Sequence, residues 1–142
     1  MSHLTKLAVK CLQKNEKELI EALEKHFGKD SVSCHDNAVE LQGYEKLTAG
    51  KSRHAHLVVA HDTLRKVERR NGYNDLGFER ISDGGYNLHY DTDDLRPETM
   101  GAILQDMAER VVNKTVRMQG YSITSRSITQ DGEVSLALEK CY

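Results

Sequence analysis

Residues 96–120, RPETMGAILQDMAERVVNKTVRMQG, decide the fold. Pro97 suits the first turn of a helix, where its missing N–H would have no partner anyway. Met100, Ile103, Leu104, Met107, Val111 and Met118 then recur at helical spacing and draw one apolar stripe. Gly120 ends the run, as glycine does just past a helix. Residues 121–142, YSITSRSITQDGEVSLALEKCY, follow with two strand-like runs, Tyr121–Thr129 and Val134–Leu138, closed by Asp131-Gly132. A long one-sided helix beside a hairpin is the grammar of an α+β protein.

The same grammar extends backwards. Leu76–Ile81 and Tyr86–Tyr90 surround Ser82-Asp83-Gly84-Gly85, which reads as a hairpin with a glycine-rich turn. Ala55–Ala60 is strand-like through Leu57, Val58 and Val59. Between Ala60 and Gly72 two readings stay open. Asp62 could cap a short helix carrying Leu64 and Val67 that stops at Asn71-Gly72, or the segment could extend the strand into a ribbon. Val32–His35 and Ala38–Tyr44 flank Asp36-Asn37 and predict a third hairpin.

Near the start, Leu7, Val9 and Cys11 alternate as in a strand with one buried face. Asn15 and Glu18 then stand at capping-box spacing before a helix lined by Leu19, Ile20, Leu23 and Phe27, with Gly28 as its stop. Glu16, Glu18, Glu21 and Glu24 are expected on its wet face. The expectation is one α+β domain over residues 1–142: a mostly antiparallel sheet covered by two helices, a ferredoxin-like two-layer sandwich.

Composition limits function. The chain has 142 residues, 38% hydrophobic and 30% charged, which suits a folded domain rather than a disordered one. Its net charge of −2 gives no overall basic field for nucleic acid or anionic lipid. No apolar run approaches ~18 residues, so no membrane span is expected. Met1-Ser2-His3-Leu4 lacks the basic and apolar regions of a secretory signal, and the three cysteines, Cys11, Cys34 and Cys141, form no even set. The expectation is a cytoplasmic protein with reduced thiols, Cys34 buried and His35 exposed.

Several marks in order carry a family resemblance. They are Met1-Ser2-His3, Gly43-Tyr44, Asp75-Leu76-Gly77-Phe78, the Asp83-Gly84-Gly85 turn with Tyr86, then Gln119-Gly120-Tyr121 and Asp131-Gly132. In these the chain resembles the hypothetical chloroplast reading frame thirty-five family, a domain of unknown function of algal chloroplasts, cyanobacteria, other bacteria and some phages. Members commonly carry tryptophans after the strand that matches Tyr86–Tyr90; here Asp91-Thr92-Asp93-Asp94 stands there. The resemblance supports the fold and brings no established reaction. A phage origin would place the protein in its host's cytoplasm.

No catalytic constellation or cofactor motif is legible. The residues at metal-ligand spacing are His54 and His56, which share a strand face, with His61 and Asp62 nearby. A third ligand would need a bend after Ala60, or His89 or Cys34 from another strand. Arg65, Lys66, Arg69 and Arg70 would make two i,i+4 pairs on one helix side, a local basic patch that Asp91, Asp93, Asp94 and Glu98 could neutralise. Asp91–Asp94 has calcium-like spacing without that loop's glycine and closing glutamate. Asp75, Glu79 and Asp91 could serve as acid and base, with nothing to fix their separation.

The sequence therefore points first to a non-enzymatic protein-interaction module: an adaptor, modulator or inhibitor of a protein partner, with homo-oligomers formed through open sheet edges. The alternatives are a metal-dependent small enzyme using His54 and His56, and a nucleic-acid-binding protein using Arg65–Arg70.

Overall fold

The computed structural model describes residues 11–43, 50, 52–70, 72–128 and 134–140. A 3-10 turn, Gln13–Asn15, leads into α1, Glu16–Phe27. Strand β1, Val32–Glu40, and strand β2, His54–Val59, follow, then α2, His61–Glu68. Strands β3, Leu76–Arg80, and β4, Tyr86–His89, precede the 22-residue α3, Pro97–Met118. Strands β5, Tyr121–Ile128, and β6, Val134–Lys140, complete the described chain. The strands expected over 7–11 and the turn at Asp131-Gly132 lie outside the described residues, apart from Cys11.

The order β1-β2-β3-β4 makes one four-stranded antiparallel sheet, and β5-β6 makes a separate two-stranded one. The class is α+β, as the sequence implied. Leu57, Val59, Leu76 and Phe78 give the sheet a buried face. Leu19, Leu23 and Phe27 of α1, Leu64 of α2, and Met100, Ile103 and Met107 of α3 pack against it. The spacing of each helical set is what lets one stripe enter the core while the rest stays wet.

Three local expectations are corrected. Asp36-Asn37 is not a hairpin turn: Val32–Glu40 is one strand paired along β2, from Val32↔Val59 to Glu40↔His54. The register shifts between Cys34 and Val39, so a wide bulge absorbs the polar residues that looked like a turn. Asn15 makes no side-chain cap, and Glu18 is buried in an ion pair with Lys114 instead of reaching back to the turn. Met118 is 79% exposed: the fully buried residues of α3 end at Ala108, and past Asn113 the helix is mostly exposed.

Of the two readings of Ala60–Gly72, the helix is the one found. It ends earlier than Asn71: Arg69 takes a left-handed φ of 55° and closes the turn with its N–H on Arg65 O at 2.9 Å. Gly77 marks where the sheet is tightest. A Cβ there would lie 2.7 Å from both Ala55 Cβ and Leu41 Cδ1, so only glycine lets these two buried side chains press on β3.

Candidate functional site

The strongest polar arrangement lies between α1 and the β3–β4 hairpin. Arg80 grips Glu16 with two parallel bonds, Nε to Oε1 and NH2 to Oε2, both at 2.8 Å. Tyr86 donates its hydroxyl to Oε1 at 2.6 Å. Arg80 NH1 reaches the carbonyl of His35 at 3.1 Å, which ties β1 into the same knot. Gln13 completes it from the 3-10 turn, its side-chain amide donating to the carbonyls of Ile81 and Gly85. Sequence reasoning placed Glu16 on a wet helix face, since Arg80 is 64 residues away and no local pattern links them.

The electrostatics fix protonation states rather than poise them. The hydrogen bond from Arg80 holds the Glu16 carboxyl below its usual range, and Glu16 in turn raises the Arg80 guanidinium. Burial, then the Glu16 carboxylate, pushes the Tyr86 phenol upward, so it stays a donor at any physiological pH. Burial pushes the Cys11 thiol up to about 11. A carboxylate that resists protonation, a phenol that resists ionisation and a thiol that resists becoming thiolate suit a structural clamp.

The histidines singled out by spacing go to different tasks. His54 is exposed at the start of β2. His56 turns its Nδ1 to the backbone N–H of Arg80 at 2.9 Å, where the β2–β3 pairing stops at Leu57↔Phe78. Its imidazole stands in for a strand carbonyl. The chain does bend after Ala60, but His61 then enters α2 and is held by Asp75. One carboxylate oxygen of Asp75 accepts both the backbone N–H of His61, at 2.8 Å, and its Nδ1–H, at 3.0 Å. The other accepts the N–H of Gln42 at 2.8 Å. Nε2 of His61 lies 3.5 Å from Asp62. An aspartate-oriented imidazole is one half of a general-base arrangement. Among the described residues, no three His, Cys, Asp or Glu side chains are grouped to hold a metal ion.

The other carboxylates are engaged separately. Glu79 accepts from His89 at 3.1 Å and from Asn87, which lowers its carboxyl. Asp91 caps the N–H of Asp93, and buried Asp94 accepts from Asn74 at 2.7 Å. The calcium-like run is a turn, pinned from one side.

The basic residues do not form the two i,i+4 pairs. With α2 ending at Glu68, Arg69 and Arg70 leave the helix. Arg70 donates to the carbonyl of Thr92 at 3.0 Å, and Arg65 to that of Gly72 at 3.2 Å, with Asp62 at 3.6 Å. Lys66 and Arg69 stay exposed. Glu68 is buried against Arg96. The thiols also depart from expectation: Cys34 is exposed on β1, because the bulge that follows it opens that end of the strand, and Cys11 is partly buried.

The last element is the hairpin. Among the described residues β5 and β6 pair only with each other, from Tyr121↔Lys140 to Ile128↔Val134. Arg126 anchors β5 to α3 through Glu109, which raises the guanidinium. Beyond that anchor β5 is open, and Ile128 is 55% exposed.

A helix-backed antiparallel sheet, knotted by an internal Glu–Arg–Tyr clamp and carrying a separate terminal hairpin, defines a small α+β protein class. The chain belongs to the family described as protein of unknown function (DUF1257), which matches residues 27–137, more than three quarters of its length. No curated protein matches the chain, and no solved structure does. No described helix is long and apolar enough to cross a membrane.

Proposed function

We propose that the chain is a non-enzymatic protein-interaction module, one α+β domain over residues 1–142, that docks by strand addition to its β5–β6 hairpin. The first occupant of that edge is a second copy of the same chain, joined across a two-fold axis. Within this reading the narrower kinship is with the hypothetical chloroplast reading frame thirty-five proteins, and a phage-borne copy would act on a host factor in the cytoplasm.

One observation carries it. The hairpin strands span eight and seven residues, and neither joins the four-stranded sheet among the described residues. An isolated two-stranded ribbon is marginal in water, and its outer N–H and C=O groups are a template for another strand. The clamp residues support the same reading from the other side, because each is held in the protonation state that architecture needs. Hydrogen exchange read by mass spectrometry tests it. Peptides covering 121–128 should gain protection as protein concentration rises; protection independent of concentration contradicts self-docking at this edge.

A further inference from the structure

The four-stranded sheet ends at β4, and among the described residues no strand pairs with the outer edge of β4. What that edge offers follows from the hairpin. Ile81 donates its N–H to the carbonyl of Gly85, so antiparallel alternation gives the next rungs to Asn87 and His89, opposite Glu79 and Gly77. The backbone N–H and C=O groups of Tyr86 and Leu88, and of Tyr90 just past β4, therefore turn to the open edge. All three side chains pack against the core. An edge whose side chains already belong to the core is a template for a covering strand.

The chain itself supplies the first rung. Gln13 donates its backbone N–H to the carbonyl of Gly84 at 2.8 Å. Two residues earlier, Cys11 packs on the same core, and its carbonyl oxygen stands 3.9 Å from the position of a Cβ on Gly85. From Gln13 back to Cys11 the contacts move forward along the hairpin, the sense of an antiparallel partner. Continued in the register of Gln13 and Gly84, Cys11 falls opposite Tyr86, Val9 opposite Leu88 and Leu7 opposite Tyr90. These are the apolar members of the alternating run Thr5–Cys11, and each meets a core-facing neighbour while Lys6 and Lys10 face water. A slip of one residue would reverse every one of them.

We propose that residues 5–10, which lie outside the described residues, dock on β4 as an antiparallel fifth strand in this register. The occupant is this chain's own start rather than a second copy, because Gln13 already ties the chain to that edge. A covered β4 leaves partners to the other edges, and the proposal does not depend on what the β5–β6 hairpin binds.

Amide hydrogen exchange of the full chain, read residue by residue by NMR, tests it. Leu88 and Tyr90 should exchange within roughly tenfold of Asn87 and His89, whose N–H groups face β3. Val9→Pro removes one N–H from the new ladder and should speed Leu88 and Tyr90 by about tenfold or more while Asn87 and His89 keep their rates. Lys10→Cys with Asn87→Cys, neighbours on the wet face of this register, should close a disulfide under mild oxidation in a Cys34→Ser, Cys141→Ser background; Lys6→Cys with Asn87→Cys should not. Four results overturn the proposal: free-chain exchange at Leu88 beside a protected Asn87, protection at Leu88 that grows with protein concentration, a Leu88 rate that Val9→Pro leaves unchanged, or equal closure of the two cysteine pairs.

Discussion

The hydroxyl of Tyr86 sits 2.6 Å from Oε1 of Glu16, 70 residues earlier, on the carboxylate that Arg80 holds with two bonds. This contact joins the first turn of α1 to the β3–β4 hairpin and seals the end of the core next to Phe78, whose ring meets that of Tyr86 edge-on at 5.9 Å.

Loosening the clamp should be graded. Tyr86→Phe removes one donor to a charged acceptor and should cost about 1–2 kcal/mol. Glu16→Gln should cost about 2 kcal/mol, less than the loss of a fully buried pair, because Arg80 and Glu16 keep about a quarter of their side-chain surface. Urea unfolding of both variants checks the order. Equal, negligible losses would show that the knot carries no stability.

The clamp also sets an acid limb. Glu16 is depressed below its ordinary 4.5 in the folded chain, chiefly by Arg80. The folded chain then binds fewer protons than the unfolded one, so this group stabilises above about pH 4.5 and its contribution fades as pH falls through the depressed value. Glu18 and Glu79 are lowered too, by Lys114 and His89. The stability gap between the parent chain and Glu16→Gln should therefore be widest near neutrality and close in acid. A gap that stays constant down to pH 2 would remove Glu16 from the acid limb.

The thiols should separate by rate. Cys11 is pushed up to about 11 by burial, while Cys34 is exposed with a smaller rise. In a Cys141→Ser background, Cys34 should react first with a maleimide at neutral pH, and Cys11 should wait for unfolding or strong alkali. Cys11 labelling as fast as Cys34 in the folded chain would contradict the packing around it.

Gly77→Ala should be disproportionately harmful. Its new methyl would meet Ala55 and Leu41 at 2.7 Å, and overpacking of this kind costs about 1–3 kcal/mol. A paired Leu41→Ala change should recover part of the loss. An unaltered melting temperature for Gly77→Ala would show that β3 has room there.

The periodic part of the structure was legible in the sequence. Leu19, Leu23 and Phe27, and Met100, Ile103 and Met107, announce helix faces through spacing alone, and both stripes enter the core. Asp36-Asn37 misled because a polar pair mid-strand has the composition of a turn, and only the pairing with β2 reveals a bulge. Glu16 and Glu18 misled for a different reason. Their partners, Arg80 and Lys114, are 64 and 96 residues distant, so a local pattern reads them as solvated. The histidines illustrate the limit of spacing: His54 and His56 are two residues apart, yet one is exposed and the other bonds a strand amide.

The open edge of the β5–β6 hairpin is the central claim, and light scattering coupled to size exclusion meets it most directly. The full chain, run over a range of concentrations, should show a mass above that of one chain that rises toward two, and Ile128→Lys, which puts a charge on the exposed lip of β5, should return it to one. A single-chain mass for the parent at the highest concentration reached, indistinguishable from that of Ile128→Lys, would contradict it.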